Sequence, residues 1–363
     1  MKDVELLVVG GGPAGLSAAA SAAEAGVNVL LCDRSFRLGG QLIKQTHKFF
    51  GSEKQHAKTR GFRIAAELEA SLAVPGNPAE TWTEATVVGL YPDRVAGVLH
   101  RDRYEKMRFR ACVLCPGAGE RYLAFENNDL PGIVGAGAVQ TLMNVHGVLP
   151  GKKVVMVGSG NIGLIVAYQL LQAGVRVEAV LEASPKIGGY KVHAAKLARL
   201  GIPIRTQTSV LRAEGSDHVE RVVVSALDSA WNPVPGTEET IECDAVCVAV
   251  GLTPLHQLAA MAGAEMKYVP ELGGMVPLLD SARETSVPGL FCAGDASGIE
   301  EASAAIVGGR LAGLSAARYL GKPHPEDSRL REDLTTQLRI LRSGPFGAKI
   351  RAGAAKAEVE RHA

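Results

Sequence analysis

Hydrophobic positions along this chain fall into short runs that are closed by glycine, and the first run opens the molecule. Glu5-Leu-Leu-Val-Val9 is strand-like and ends at Gly10. A small-residue helical pattern follows from Pro13 to about Ala25, and Val27-Asn-Val-Leu-Leu-Cys-Asp33 reads as a second strand. Strand, tight turn, helix and strand make a βαβ unit. The pattern then returns, with Lys153-Val-Val-Met-Val157 as strand, Ile162 to Gln172 as helix and Val175 to Glu182 as the next strand. The key glycines of the two copies (Gly10 and Gly158, Gly12 and Gly160, Gly15 and Gly163) lie 148 positions apart. Ala-Gly-Val recurs after each helix, and a Gly-Gly pair follows each second strand (Gly39-Gly40, Gly188-Gly189). A nucleotide-binding half has been duplicated within the chain.

Between and beyond the copies the pattern loosens. Residues Pro131 to Gly151 are rich in glycine and small side chains and read as a hinge. Past Gly251 the chain returns to the first half: Val287-Pro-Gly-Leu-Phe-Cys-Ala-Gly-Asp295 is another strand ending in Gly-Asp, and Ala302 to Leu320 is helical. The tail after Lys322 is mixed in charge and reads equally as a docking extension or a frayed end. The expected fold is α/β: two Rossmann-like three-layer nucleotide-binding domains, the second inserted into the first. Residues 1–120 with 265–325 would form one domain, 121–264 the other and 326–363 the tail.

Composition changes little in this picture. The 363 residues are 47% hydrophobic and 21% charged, as expected of globular protein. A formal charge of +1 gives no reason to expect nucleic acid or an acidic membrane surface as partner. No apolar run reaches the roughly 18 residues of a membrane span. A strand begins within three residues of Met1 with no basic-then-apolar leader, so the cytoplasm is the expected location. Six cysteines without a regular framework fit a reducing compartment.

Chemistry enters with the glycine loops. Gly10-Gly-Gly12-Pro13-Ala14-Gly15 follows a strand and starts a helix, the context in which G-x-G-x-x-G binds a dinucleotide. Its first glycine makes the tight turn, the second admits a pyrophosphate, and the third lets helix and strand pack closely. The helix N-terminus offers unpaired N–H groups to phosphate. Asp33 ends the second strand, where a carboxylate accepts hydrogen bonds from an adenosine ribose, and Arg34 adjoins it. Gly158-Ser-Gly160-Asn161-Ile162-Gly163 repeats the arrangement. Glu182 ends its second strand and favours a free ribose 2′-hydroxyl, hence NAD over NADP, a preference that nearby Lys186 weakens. A duplicated half can also keep its fold while losing its dinucleotide, or hold another adenine nucleotide. Elsewhere no cluster has metal-ligand spacing and no G-x-S-x-G elbow occurs.

Two glycine loops in this order with a late Gly-Asp resemble the two-dinucleotide-domain flavoproteins that include thioredoxin and glutathione reductases. The resemblance runs from Met1 to about Gly321. It implies FAD in the first half, with Gly40 and Gln41 of Leu38-Gly-Gly-Gln-Leu42 against it. It also implies that Asp295 bonds the flavin ribityl chain while Gly294 allows the approach. Leu114-Cys-Pro-Gly117-Ala-Gly119 looks like the family's crossover, and Gly251-Leu-Thr-Pro254 like its second copy. The length leaves no room for a glutathione-reductase dimerisation domain. The redox cysteines of those reductases are missing, both after Gly39-Gly40 and at Gly135-Ala-Gly-Ala-Val-Gln140. Cys112 and Cys115 have redox spacing but would lie on opposite faces of one strand. All six cysteines read as buried hydrophobes: Cys112 and Cys115 in one strand, Cys243, Cys247 and Cys292 as strand core, and Cys32 closing a strand.

Asp129-Leu-Pro-Gly-Ile-Val-Gly-Ala-Gly-Ala-Val-Gln-Thr-Leu142 is similar to the hinge of alpha subunits of heteromeric sarcosine oxidase and of proline, hydroxyproline and opine dehydrogenases. Ala293-Gly-Asp-Ala-Ser-Gly-Ile299 and Gly309-Arg-Leu-Ala-Gly313 are similar too. This implies an electron-transferring subunit partnered by an amino-acid-oxidase-type flavoprotein. Since no cysteine follows Cys292, any cluster would belong to a separate small iron–sulfur protein. Lys44 and His47 lie where related reductases keep their flavin-facing disulfide, so Lys44 would stabilise reduced flavin and His47 relay a proton. The plainer reading, a solvated loop anchored by Phe49 and Phe50, is the stronger one for each. Two rival functions remain: a stand-alone NAD(P)H-dependent reductase acting on a small acceptor or ferredoxin, and a subunit whose second site holds ATP or ADP for structure only.

Overall fold

The computed structural model describes residues 1–49, 53–344 and 347–359, which leaves the expected anchor Phe50 outside the described residues. The chain opens with β1 (Lys2–Val9), α1 (Pro13–Glu24) and β2 (Val29–Cys32), followed by α2 (Gly61–Ala70) and β3 (Glu80–Trp82). A meander of β4 (Ala85–Leu90), β5 (Val95–His100) and the long β6 (Arg103–Leu114) leads to β7 (Ala118–Glu120). Together β3, β2, β1, β6, β5 and β4 form a sheet in that order. In register, Val8 stands between Leu31 and Val113, with β1 parallel to both neighbours.

β1 reads as a continuous apolar run because both of its faces are covered. Leu6 and Val8 join a core made with α1, while Leu7 and Val9 join the core under the meander. Leu6, Leu7 and Val8 are fully buried, and each such side chain contributes about 1.5–3 kcal/mol relative to exposure.

The inserted segment begins with β8 (Ile133–Gly135) and α3 (Ala136–His146). Residues expected to form a hinge are therefore regular structure: Ile133 and Val134 pair in register with Val246 and Cys247, and Ala136 and Val139 bury into the core. Next come β9 (Lys153–Val157), α4 (Asn161–Gln172), β10 (Arg176–Glu182), α5 (Lys191–Arg199) and β11 (Ile204–Thr206). They are followed by β12 (Thr208–Glu214), β13 (Arg221–Ala226), β14 (Glu239–Glu242) and β15 (Ala245–Val248). One parallel sheet has the order β11-β10-β9-β15-β8, and β12-β13-β14 form an antiparallel one.

The chain then passes through β16 (Leu252–Pro254), α6 (Gln257–Met261), the hairpin β17 (Met266–Val269) and β18 (Gly274–Pro277), and β19 (Leu290–Cys292). β19 lies parallel to the end of β6, with Leu290 opposite Cys112 and Cys292 opposite Leu114, so the late chain completes the first sheet. Helices α7 (Ala302–Tyr319), α8 (Asp327–Leu341) and α9 (Gly347–Ala357) close the chain. The compact units are Met1–Gly119 with Thr253–Ala363, and Glu120–Leu252. The α/β fold with one unit interrupting the other is as expected. The stretch 253–264 differs: Ala259 and Ala262 bury under the meander, in the first unit. The tail is docked as well. Leu334 and Leu338 of α8 pack on Val307, Leu311 and Leu314 of α7, and Leu279 exchanges backbone hydrogen bonds of 3.0 Å with Ala357 and Val359.

Candidate nucleotide-binding loops

The first loop is built on close backbone approach. Gly10 has φ of +101°, and a Cβ there would lie 2.2 Å from the Cys115 carbonyl oxygen. A Cβ on Gly15 would lie 1.7 Å from the Gly10 oxygen, so only glycine brings α1 this close to β1. Gly12 precedes the helix, Pro13 is its first residue, and no side chain caps its first turn. The α1 N–H groups therefore face outward from a cradle that a Cβ on Gly12 would barely touch, its nearest neighbour being Gly40 Cα at 3.8 Å. The Gly11 N–H donates to Asp33 Oδ2 at 2.6 Å and the Ser35 N–H to Oδ1 at 2.7 Å, with Asp33 buried and Arg34 exposed.

Ala14 is 5% exposed because α7 lies on it: a Cβ on Gly309 or Gly313 would sit 2.1 or 2.2 Å from the carbonyl oxygen of Ala14 or Ala18. Gly294 adjoins Ala14 from the late chain, where a Cβ would stand 2.8 Å from the Ala14 Cβ. Asp295 follows in a turn, its Oδ1 accepting from the Glu300 N–H at 3.3 Å. Burial raises the Asp295 carboxyl to about 6, and the nearby Glu300 charge adds to the rise against that hydrogen bond. Gly117, at φ +81°, sits just past β6.

Gly40 starts a single 3-10 turn that runs to Lys44, with Gln41 exposed and Lys44 buried. Beyond it the half-buried His47 ring stacks on Phe49, centroids 5.8 Å apart. Gly10 to Gly15, Asp33, Gly40, Gly294 and Asp295 are thus gathered in one unit, with Lys44 on the turn that Gly40 begins.

The second loop repeats this construction. Gly158 has φ of +104°, with a Cβ 2.3 Å from the Ala249 oxygen, and a Cβ on Gly163 would stand 2.1 Å from the Gly158 oxygen. Gly160 precedes α4, whose first turn again has no side-chain cap. Glu182 accepts from the Ser159 N–H at 3.0 Å and from Ser159 Oγ at 2.5 Å, and its other oxygen accepts from the Ser184 N–H at 2.8 Å. Burial pushes the Glu182 carboxyl up, but the Ser159 and Ser184 hydrogen bonds outweigh it and leave it below the usual carboxylate range. Asn161 Oδ1 accepts from the Tyr190 N–H at 2.8 Å, while Ile162 is 37% exposed.

Several of these partners were not picked out from sequence. Asp33-x-Ser35 and Glu182-x-Ser184 carry a signal that would have found the serines, a carboxylate and serine repeated at the same spacing. Glu120 is another: its Oε1 accepts from the Gly137 N–H at 2.6 Å, so a carboxylate occupies the α3 N-terminus, in the segment where the redox cysteines are missing. All six cysteines are free and buried, and Cys112 and Cys115 belong to opposite cores of the first sheet. Cys243 differs from expectation in lying between β14 and β15, not within a strand. Burial pushes the thiols of Cys32, Cys243 and Cys292 up to about 12, and those of Cys112, Cys115 and Cys247 also upward. Among the described residues no group of side chains could hold a metal ion, and no helix is long and apolar enough to cross a membrane.

Two glycine-loop α/β units, one interrupting the other, define the thioredoxin-reductase-like class of oxidoreductase fold. The chain belongs to the pyridine nucleotide-disulphide oxidoreductase family, which it matches over residues 4–307. Membership implies FAD and a pyridine nucleotide as cofactors. An opine oxidase subunit from Agrobacterium tumefaciens is 28% identical over 326 residues, which are 86% of this chain and 65% of that relative. Among solved structures, L-proline dehydrogenase from P. horikoshii superposes with a TM-score of 0.69 at 24% identity, covering 92% of this chain and 59% of that one. Thioredoxin reductase of T. acidophilum gives 0.71 at 22% identity, covering 88% and 99%. The chain thus spans just under two thirds of the opine oxidase relative.

Proposed function

We propose that this chain is an FAD-dependent, electron-transferring subunit of a heteromeric amine or amino-acid dehydrogenase of imino-acid or opine type, working without a redox-active disulfide. One observation carries the reading: the nucleotide cradle is built twice, down to the hydrogen bonds on its terminal carboxylate, while all six thiols are buried. The first cradle fits FAD, since a Cβ at Gly10 or Gly15 would collide with backbone and the α1 N–H groups have no cap. In this reading Gly10, Gly12, Pro13, Ala14 and Gly15 receive the pyrophosphate. Asp33, with Arg34 beside it, holds the adenosine ribose, and Gly40, Gln41 and Gly117 border the ring system. Gly294 and Asp295 take the ribityl chain. FAD when bound supplies the hydride and single-electron chemistry. Lys44 holds positive charge near that chemistry, and His47 is the candidate proton relay.

The second cradle takes NAD(H) through Gly158, Gly160, Asn161, Ile162 and Gly163, with Glu182 on the ribose. A structural ATP or ADP there is the second reading. The three donors already on Glu182 leave it less capacity than Asp33, with two, for the adenosine ribose hydroxyls that either nucleotide carries. The proposed partners are a small iron–sulfur protein and a second flavoprotein of the amino-acid-oxidase type. The opine oxidase relative works as part of a multi-subunit enzyme, which supports an assembly of this kind.

The test is purification of the chain with the products of its neighbouring genes, followed by mass analysis of released ligands. Co-elution with a second flavoprotein, FAD and a dinucleotide is expected. A chain that elutes alone and whose flavin is bleached rapidly by NADH would instead be a self-contained reductase, and a released mononucleotide would indicate a scaffold site.

A further inference from the structure

The turn from Gly294 to Glu300 is braced from outside by the last two helices, beyond the residues that match the family. At the end of α8 the Arg342 guanidinium grips the Glu300 carboxylate through two hydrogen bonds, Nε to Oε2 at 2.9 Å and Nη2 to Oε1 at 2.5 Å. Both side chains are largely out of water, at 17% and 14% exposure. A bidentate pair so placed fixes geometry as well as charge. The Glu300 N–H is the group that donates to Asp295. The other side of the turn rests on Leu272, whose carbonyl accepts from the Ile299 N–H at 3.0 Å and whose side chain fills the space beside Gly298. Leu272 is covered in turn by Gly353 of α9, and Lys356 pairs with Glu271 at 2.5 Å.

We propose that Arg342 is a positioning residue for the flavin site: its grip on Glu300 holds the Gly294–Glu300 turn, and with it Asp295, in the geometry that receives the ribityl chain. The proposal rests on the FAD reading given above. It extends the site to a helix that the glycine-loop pattern does not include. It also makes the site's response to pH depend on Arg342. Asp295 accepts a ribityl hydroxyl best when ionised, and the charge beside it is Glu300. Facing Glu300 are Arg342 from α8 and Arg283, whose Nη2 reaches Ser297 Oγ at 3.4 Å. The α1 turn against Gly294, Gly12-Pro13-Ala14, carries no charge. Removing Arg342 leaves Glu300 with Arg283 as the cation facing it and makes Asp295 harder to ionise. Removing the Glu300 charge makes it easier.

Apoprotein is titrated with FAD between pH 5 and 9 for wild type, Arg342→Ala, Arg342→Lys, Glu300→Gln and the control Arg329→Ala. Arg329 lies on α8 but pairs with exposed Glu326. At pH 8.5 both Arg342→Ala and Glu300→Gln are expected to weaken FAD binding about tenfold, the worth of one charge-assisted hydrogen bond. The pH midpoint below which affinity falls moves upward in Arg342→Ala and downward in Glu300→Gln. Arg342→Lys keeps the wild-type midpoint with part of the affinity loss, and Arg329→Ala changes nothing. General loosening would move both midpoints alike, so shifts of the same sign, or wild-type affinity in both variants at pH 8.5, overturn the proposal. Should Arg342→Ala fail to fold, Arg342→Lys and Glu300→Gln still decide. A wild-type chain that binds no FAD removes the flavin reading itself, and this proposal with it.

Discussion

The two glycine loops share one backbone plan and differ in what surrounds it. In the first, Ala14 is buried beneath Gly309 and beside Gly294, and Asp33 keeps lone pairs to spare. In the second, Ile162 at the equivalent position is 37% exposed, Ser159 replaces Gly11, and its hydroxyl adds a third hydrogen bond to Glu182. The same turn therefore makes an enclosed cradle in one place and an open one in the other. Burial, not the motif, separates the two cradles.

The largest effect belongs to the tightest contact. Gly15→Ala drives a methyl to 1.7 Å from backbone and is expected to destabilise the protein by about 3 kcal/mol or more, against less for Gly163→Ala at 2.1 Å. Urea midpoints compare them, and equal losses would show that the two turns are equally tight. Next, Asp33→Asn is expected to raise the FAD dissociation constant about 100-fold, whereas Glu182→Gln leaves flavin in place and weakens the second nucleotide about tenfold. Loss of flavin from Glu182→Gln would erase the distinction between the loops.

A smaller effect, opposite in sign, tests Asp295. Its folded pKa, about 6, lies above the unfolded value, so folding favours its protonated form. The ligand-free protein then loses stability as pH rises from about 4 to 6, and the full cost persists above that. Asp295→Asn should raise the melting temperature of the empty protein by a few degrees at pH 7.5, gain nothing at pH 4, and weaken flavin binding. Glu182 runs the other way: with its pKa lowered on folding, its contribution is present at neutral pH and disappears on acidification below the carboxylate range. Melting temperatures of Asp295→Asn and Glu182→Gln should therefore coincide with wild type in strong acid and diverge from it in opposite directions as pH rises to neutral. Smallest of all is the expected reaction with a thiol reagent at pH 8, where the native chain should give close to zero titratable cysteines because burial holds every thiol protonated.

What was legible in the sequence follows from locality. β1, α1 and β2 could be read because a strand covered on both faces is an unbroken apolar run and because Gly15 is demanded by backbone contact with Gly10, five residues earlier. The segment 131–151 misled because small residues serve tight packing as well as loops, so Ala136 and Val139 of α3 were read as a hinge. Glu120 at the α3 N-terminus and Arg342 on Glu300 join residues 17 and 42 positions apart. No periodicity records such pairs. The docked tail shows its apolar stripe, Leu330, Leu334, Leu338 and Leu341, only once α7 is there to receive it.

Gly309 and Gly313 lie on the carbonyls of Ala14 and Ala18, partners 295 positions apart in the chain. A ribosome adding about 5–20 residues each second needs about 15–60 seconds to cover that span. Throughout that interval the alanine face of α1 has no helix to meet, and β6 lacks β19. The stretch Glu120–Leu252 is complete well before this. Synthesis thus completes the interrupting unit first and leaves the first unit open until α7 emerges.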